Sequence, residues 1–176
     1  MNIGTNKKIL MIVSADNFRD EEYQEPREIF EKAGATVTVA CSSKKISVGM
    51  FGMKITPDLL INDVKVEAYD AIVFVGGTGS VEYFGNKKAL EIACESVKLN
   101  KILAAICLAP GILARAGVLK GKRATVYSSE MENLRESGAI YSDSSVERDG
   151  KIVTANGPSA ALKFAETILN VMAMGN

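Results

Sequence analysis

The alternation of short apolar runs with amphipathic segments constrains the fold of this chain more than any other feature. Residues 9–14, 71–75 and 102–106 are continuous apolar runs, and each is followed by loop residues and then by apolar residues at helical spacing. Such runs are typical of strands buried on both faces of a parallel sheet. The sequence therefore predicts an α/β fold with a mainly parallel sheet and helices on both faces.

The remaining elements follow the same order, and 176 residues is the length of a single domain. Strands are predicted at 9–14, Thr36–Cys41, 71–75, Ile102–Ile106 and 124–127, and helices at 20–33, 86–99, 109–116, 129–137 and 158–172. Glycines within 46–56 indicate a small hairpin or an irregular segment. Short strands at 146–147 and 151–154 flank a predicted hairpin turn at Asp149-Gly150.

The composition excludes several classes of site. The chain has no histidine, which removes the Ser-His-Asp triad, the Cys-His dyad and the HExxH zinc site. The 21 basic and 21 acidic side chains cancel, so no net charge draws the chain to nucleic acid or to a membrane surface. Three cysteines without CxxC spacing argue against a disulfide framework or a zinc cluster. Without histidine or CxxC spacing, we expect no metal site. The first apolar run is too short for a signal peptide or a membrane span, so we expect a cytoplasmic protein.

Three strand ends, at 16–22, 76–80 and Cys107, are expected to meet at the carboxyl edge of the sheet, where such folds bind ligands. Cys107 stands between a strand and a helix start, as in a nucleophile elbow. The strained backbone of an elbow requires small residues two positions before and after the nucleophile, and Ala105 and Ala109 meet this requirement. The following helix would lower the pKa of the Cys107 thiol. Alternatively, Cys107 is a small core residue, the role assigned to Cys41 and Cys94.

Gly76-Gly77 follows another predicted strand, where glycine permits a sharp turn. The N–H groups of Gly77 and Leu108 would form an oxyanion hole, or the glycines simply make a turn between a strand and a helix. The loop matches neither a dinucleotide-binding motif nor a P-loop. Five acidic residues lie within 16–25, most of them expected to be solvated. One beside the cysteine would be held protonated and would carry protons.

A set of motifs spread along nearly the whole chain is more specific than any one of them. The motifs are Glu22-x-x-x-Pro26, Val75-Gly76-Gly77, Ala104-Ala105-Ile106-Cys107-x-Ala109-Pro110, the segment AGVLKGKRAT, and Val146-x-x-Asp149-Gly150-x-Ile152-x-Thr154 before Gly157-Pro158. Together they resemble the ThiJ/PfpI superfamily, which includes DJ-type proteins, peptidase-like proteins and glyoxalase III enzymes.

The resemblance implies a flavodoxin-like three-layer sandwich. It makes Cys107 the nucleophile of the elbow and Glu22 the protonated carboxyl group beside its sulfur. Gly76, Gly77 and Leu108 then belong to the pocket, the last two through their N–H groups. Members commonly form dimers or larger assemblies, so a homo-oligomer is expected.

Two positions depart from the patterns within the superfamily. Peptidase-like members have a histidine directly after the cysteine, and this chain has Leu108 there, which argues against a Cys-His peptidase. Some DJ-type members have a pocket histidine where this chain has Tyr127. The phenol of Tyr127 either donates a hydrogen bond to a carbonyl group or only packs.

These features lead to three functional hypotheses. In the leading one, a cofactor-independent enzyme acts on small reactive aldehydes: Cys107 attacks methylglyoxal or glyoxal, Glu22 moves protons, and water releases lactate or glycolate. Deglycation of protein or nucleic-acid adducts uses the same chemistry. In the second, a redox-responsive stress protein or chaperone uses oxidation of Cys107 to sulfinate, with Glu22 as hydrogen-bond donor. In the third, the site has lost its activity, as Leu108 suggests.

Overall fold

The centre of the fold is a seven-stranded sheet. A computed structural model of the chain describes residues 6–174. In spatial order the strands are β11 (Val146–Asp149), β12 (Ile152–Ala155), β8 (Ile102–Ile106), β7 (Ala71–Phe74), β1 (Lys8–Ile12), β3 (Thr36–Cys41) and β6 (Leu59–Leu60). Neighbouring strands are parallel except β11, which forms an antiparallel hairpin with β12. The predicted mainly parallel sheet is confirmed.

The apolar runs of the sequence form the central strands because both faces of the sheet are covered. All residues of β7 and β8 are buried, as are all residues of β1 except Lys8. Alternate side chains of β1 contribute to opposite cores, with Ile9 and Met11 in one and Leu10 and Ile12 in the other. A strand that is apolar on both faces needs a helical layer on each.

Five α-helices form these two layers in the described part of the chain. They are α1 (Asp20–Lys32), α2 (Lys87–Lys98), α3 (Pro110–Arg115), α4 (Met131–Glu136) and α5 (Ala161–Met174). Phe30 of α1 and Phe164 of α5 pack into one core, whereas Ile92 of α2, Leu113 of α3 and Leu134 of α4 pack into the other. The architecture is therefore the predicted three-layer sandwich. None of these helices is long and apolar enough to cross a membrane.

Two small sheets lie outside the main one. The segment predicted as a hairpin forms β4 (Ser47–Gly49) and β5 (Lys54–Ile55), which join β2 (Asp16–Phe18). A second pair consists of β9 (Arg123–Ala124) and β10 (Ile140–Tyr141). The predicted strand at 124–127 is wrong in its extent, because β9 ends at Ala124 and the N–H of Tyr127 donates to the carbonyl of Cys107 at 2.8 Å instead of pairing in a strand.

The buried face of α2 excludes Cys94, which was predicted to lie in the core. The helix begins after Asn86, whose side chain accepts the N–H of Ala89 at 3.0 Å. The residues that α2 buries are Ala89, Ile92, Ala93 and Ser96. Cys94 is exposed, and its thiol donates to the carbonyl of Ala116 at 3.3 Å. Its assignment to core packing is therefore wrong, whereas Cys41 is fully buried.

Candidate active site

Cys107 occupies a sharp turn between β8 and α3. Its backbone is left-handed, with a φ of 63°, a conformation that costs energy for a residue with a side chain. Two backbone hydrogen bonds hold the turn: the N–H of Cys107 donates to Ala155 at 2.9 Å, and its carbonyl accepts from Tyr127 at 2.8 Å. The flanking Ala105 and Ala109 are fully buried. This is the backbone geometry of a nucleophile elbow.

Two glycines after β7 let the chain approach this cysteine closely. A Cβ on Gly76 would overlap the Glu22 carboxyl group and would lie 2.6 Å from the Cβ of Cys107. Gly77 has a φ of 100°, and a Cβ there would collide with the backbone of the loop at 17–19. Glycine is the residue that tolerates both the close approach and the positive φ. The loop after β7 thus brings Glu22 and Cys107 together.

Glu22 lies in the first turn of α1 and is fully buried. Within residues 6–174 neither of its carboxyl oxygens makes a hydrogen bond of good geometry. Burial raises the pKa of Glu22 to about 8, although the nearby Cys107 thiol, Arg19 and the Gly76 N–H oppose part of this effect. The carboxyl group is therefore protonated at neutral pH, because a buried carboxylate loses the hydration that stabilises its charge. It can then donate a hydrogen bond.

The pKa of the Cys107 thiol is raised to about 12 rather than lowered. Burial is the main cause and the charge of Glu22 the next, while the N–H groups of Gly77 and Leu108 act in the opposite direction. The expectation that the following helix lowers this pKa is wrong, because burial of the thiol and the charge of Glu22 outweigh the stabilising N–H groups. Glu22 and Cys107 titrate as a pair: the first proton leaves near pH 8, and the negative charge that this creates opposes loss of the second proton.

A pocket of about 340 Å³ gives access to the sulfur. Its lining residues are Arg19, Met50, Gly77, Thr78, Cys107, Leu108, Tyr127 and Pro158. Cys107 is only 7% exposed, whereas Tyr127 is 45% exposed. Fully buried Glu22 lies behind the pocket, so a ligand would meet the cysteine from the solvent side while the carboxyl group approaches it from the protein side.

The structure brings all six residues singled out from the sequence to this place. Cys107, Gly77, Leu108 and Tyr127 line the pocket, and Gly76 lies against both Glu22 and Cys107. Larger surface grooves lie between α1 and α5 and between α2 and α3, and they contain none of these residues. The chemical roles of the six residues stay predictions.

Sequence reasoning missed several lining residues, of which Arg19 is the most polar. Its guanidinium pairs with Glu21 at 2.9 Å and lies over the ring of Phe51, 4.6 Å from the ring centroid. No motif marked Arg19, because a single arginine before a helix has no distinctive spacing. Met50 reaches the pocket from the turn between β4 and β5, a placement that depends on tertiary structure alone.

Known proteins share both the sequence and the fold. A protein from Methanocaldococcus jannaschii is 45% identical over 174 residues, covering 97% of this chain and 85% of that protein. A deglycase from Pyrococcus abyssi is 34% identical over 149 residues, covering 85% of this chain and 90% of that protein. The crystal structure of a ThiJ/PfpI domain protein from Brachyspira murdochii matches with a TM-score of 0.94 at 33% identity, covering 97% and 99% of the two chains.

A family model also matches most of the chain. The model of the DJ-1/PfpI family matches residues 7–171, a span that contains the elbow cysteine, the buried carboxyl group and the glycine loop. Together with the relatives above, this match shows that the chain belongs to the DJ-1/PfpI family.

Proposed function

We propose that this protein is a cofactor-independent cysteine enzyme with deglycase-like activity on small 2-oxoaldehydes such as methylglyoxal, and on the adducts they form. The observation that carries the proposal is a buried, protonated Glu22 held against the sulfur of Cys107, which itself faces a pocket of about 340 Å³. The name of the Pyrococcus abyssi relative supports this class of activity. The pocket suits a substrate of a few heavy atoms.

The first step is addition of sulfur to the aldehyde carbon. The Cys107 thiol loses its proton to water, and the resulting thiolate forms a C–S bond with the aldehyde carbon while the carbonyl electron pair moves to oxygen. The N–H groups of Gly77 and Leu108, which already point to the sulfur, stabilise the oxyanion beside it. Glu22 then gives its proton to this oxygen, which leaves a hemithioacetal and a carboxylate.

The second step is an isomerisation that needs a single proton carrier. The Glu22 carboxylate removes the proton from the carbon bonded to sulfur and returns it to the adjacent ketone carbon. The proton of the hemithioacetal hydroxyl moves to the ketone oxygen. The product is a lactoyl thioester of Cys107. Water cleaves the thioester, which releases lactate and restores the thiol. In a chain without histidine, Glu22 is the group placed to carry these protons.

The test follows methylglyoxal loss and lactate formation without glutathione or added metal. We expect Cys107→Ala to show no turnover above the uncatalysed rate, and Glu22→Gln to lose roughly 10²-fold or more in kcat, the usual contribution of general acid–base catalysis. The matched control is Cys94→Ala, because Cys94 is exposed on α2 and outside the pocket. Turnover that persists in Cys107→Ala would contradict the proposal.

A second function is favoured by the unpartnered oxygens of Glu22. Two equivalents of peroxide would convert the Cys107 thiolate through sulfenate to sulfinate, with two molecules of water released. The protonated Glu22 would donate a hydrogen bond to a sulfinate oxygen, and the protein would then respond to oxidants rather than turn over aldehydes.

Mass spectrometry after mild peroxide treatment separates the two functions. A redox sensor accumulates sulfinate at Cys107 ahead of the exposed Cys94, and Glu22→Leu, which removes the hydrogen-bond donor, allows further oxidation to sulfonate. Oxidation spread evenly over the three cysteines, with aldehyde turnover intact, favours the enzyme.

A further inference from the structure

The pocket at Cys107 contains one charged side chain. Among its lining residues Arg19 is the single cation, and no acidic side chain belongs to the lining. The hydroxyl groups of Thr78 and Tyr127 are the other polar side-chain groups there. The Arg19 side chain is 26% exposed, so water screens its charge less than that of a fully solvated arginine.

The guanidinium is held in place by two contacts. Nε and Nη2 donate to the two carboxylate oxygens of Glu21 at 2.9 Å and 3.2 Å. The plane lies over Phe51, 4.6 Å from the ring centroid. In addition, the backbone N–H of Arg19 donates to the carbonyl of Gly76 at 3.0 Å. Arg19 is thus tied to the loop that holds the site together.

One edge of the guanidinium remains available. Arginine carries five N–H donors in a planar fork, and Glu21 occupies one edge of it. Within residues 6–174, Nη1 has no hydrogen-bond partner. A pre-positioned arginine with a free edge is suited to bind a carboxylate, because each N–H bonds a full negative charge.

We propose that Arg19 binds a carboxylate group of the ligand while Cys107 meets its electrophilic carbon. The preferred substrates are then short aldehydes that carry a carboxylate, such as 2-oxoaldehydes with a terminal acid group. This substrate class rests on the proposed aldehyde activity, whereas the preference of the pocket for a carboxylate does not. Arg19 selects between substrates and takes no part in bond making.

Iodoacetate and iodoacetamide test this preference without any enzymatic turnover. The reagents are nearly equal in size and differ in charge, and each alkylates the thiolate with loss of iodide. Both reagents react with the thiolate form of Cys107, so the ratio of their alkylation rates does not depend on the fraction of the thiol that is ionised. The ratio at exposed Cys94 in the same molecule provides the reference. Peptide mass spectrometry reads both sites in one sample.

We take the ratio of the iodoacetate to the iodoacetamide alkylation rate at Cys107, relative to the same ratio at Cys94. In Arg19→Gln we expect this quantity to fall about tenfold, which corresponds to the loss of one charge-assisted contact. Arg19→Lys retains part of the preference. Glu21→Gln raises it, because the competing carboxylate is removed. High salt reduces the preference in the wild type. An unchanged ratio in Arg19→Gln overturns the proposal.

Turnover then separates this proposal from the proposed function. Arg19→Gln should raise the KM for a 2-oxoaldehyde that carries an acid group. This increase should be about tenfold larger than the change in the KM for methylglyoxal. A carboxylate preference in alkylation without turnover of any aldehyde refutes the enzyme and leaves the Arg19 site standing. Turnover of both aldehydes with equal loss in Arg19→Gln refutes the Arg19 site and leaves the enzyme standing.

Discussion

Gly76 is the residue on which the contact between Glu22 and Cys107 depends. Its φ lies outside the left-handed region, so space rather than backbone strain requires glycine there. A Cβ would meet the Glu22 carboxyl group, the carbonyl oxygen of Ile106 at 2.5 Å and the Cβ of Cys107 at 2.6 Å. These three groups belong to α1, β8 and the elbow, so one methyl group would push three elements apart.

We therefore expect Gly76→Ala to abolish aldehyde turnover and to lower the free energy of unfolding by about 1–3 kcal/mol, the usual cost of overpacking. Urea denaturation and the lactate assay measure the two effects. Gly85→Ala is the matched control, because a Cβ there meets nothing within 4 Å and should leave both quantities unchanged. Equal behaviour of the two variants would falsify this role of Gly76.

The sequence predicted the place of Cys107 better than its chemistry. The small residues Ala105 and Ala109 indicated a tight turn, and the observed φ of 63° agrees with that. The direction of the pKa shift was wrong, because it depends on how deeply the thiol is buried and on the carboxyl group of Glu22 beside it. Burial of a particular carboxyl group is a result of tertiary packing, and local spacing does not encode it.

Asp20 connects the start of α1 to the β4–β5 hairpin. Its carboxylate accepts the N–H of Phe51 and that of Met53, each at 2.9 Å. It is 8% exposed, so water replaces these bonds poorly. Through them Asp20 fixes the turn that brings Met50 to the pocket and Phe51 under Arg19.

Loss of this carboxylate should loosen the hairpin. We expect Asp20→Ala to destabilise the protein by about 1–3 kcal/mol, because two backbone donors lose their acceptor, and to make the turn at 50–52 more sensitive to limited proteolysis. Asp63→Ala removes a carboxylate from an exposed position and serves as the control. If Asp63→Ala is cleaved at the same turn and at the same rate, Asp20 does not hold the hairpin.

Elements with a strong apolar pattern were predictable, and the shortest ones were not. β8 and β3 have the predicted bounds, because a continuous apolar run marks β8 and alternating threonine and valine residues mark β3. β6 and β10 have two residues each and contain too few positions for any periodicity. The face of α2 was misjudged because alanine and serine fill its buried side, and small residues give a weak hydrophobic signal.

The order of the strands explains why distant parts of the sequence form one site. β1, β7 and β8 are adjacent and parallel, so the loops after them all emerge at the same edge of the sheet. These loops, together with the first turn of α1, carry Arg19 and Glu22, the glycines Gly76 and Gly77, and Cys107 with Leu108. The sequence predicted this convergence from topology. It gave no indication of Arg19, whose position depends on β2 and the hairpin.

The buried Glu22 should make the stability of the whole protein depend on pH. Its pKa is about 8 in the folded protein and about 4.3 in an unfolded chain, so the folded state binds more protons between these values. Its contribution to stability is therefore complete below about pH 4 and is lost as pH rises through about 8. The pKa values of Glu147 and Asp149 are lowered, so these two carboxylates change the stability of the protein only below about pH 4.5, outside this window.

Between about pH 5 and pH 7.5 we expect the free energy of unfolding of the wild type to fall by up to ~1.4 kcal/mol per pH unit. The absence of histidine removes the side chain that ordinarily titrates in this window. Glu22→Gln should show a flat profile even if it is less stable at every pH, because an amide does not titrate. Urea denaturation with reduced thiols at several pH values measures both. Glu25→Gln is the control, because it changes a partly exposed carboxylate of the same helix and should keep the wild-type slope. Parallel profiles for the wild type and Glu22→Gln would show that Glu22 is not the titrating group.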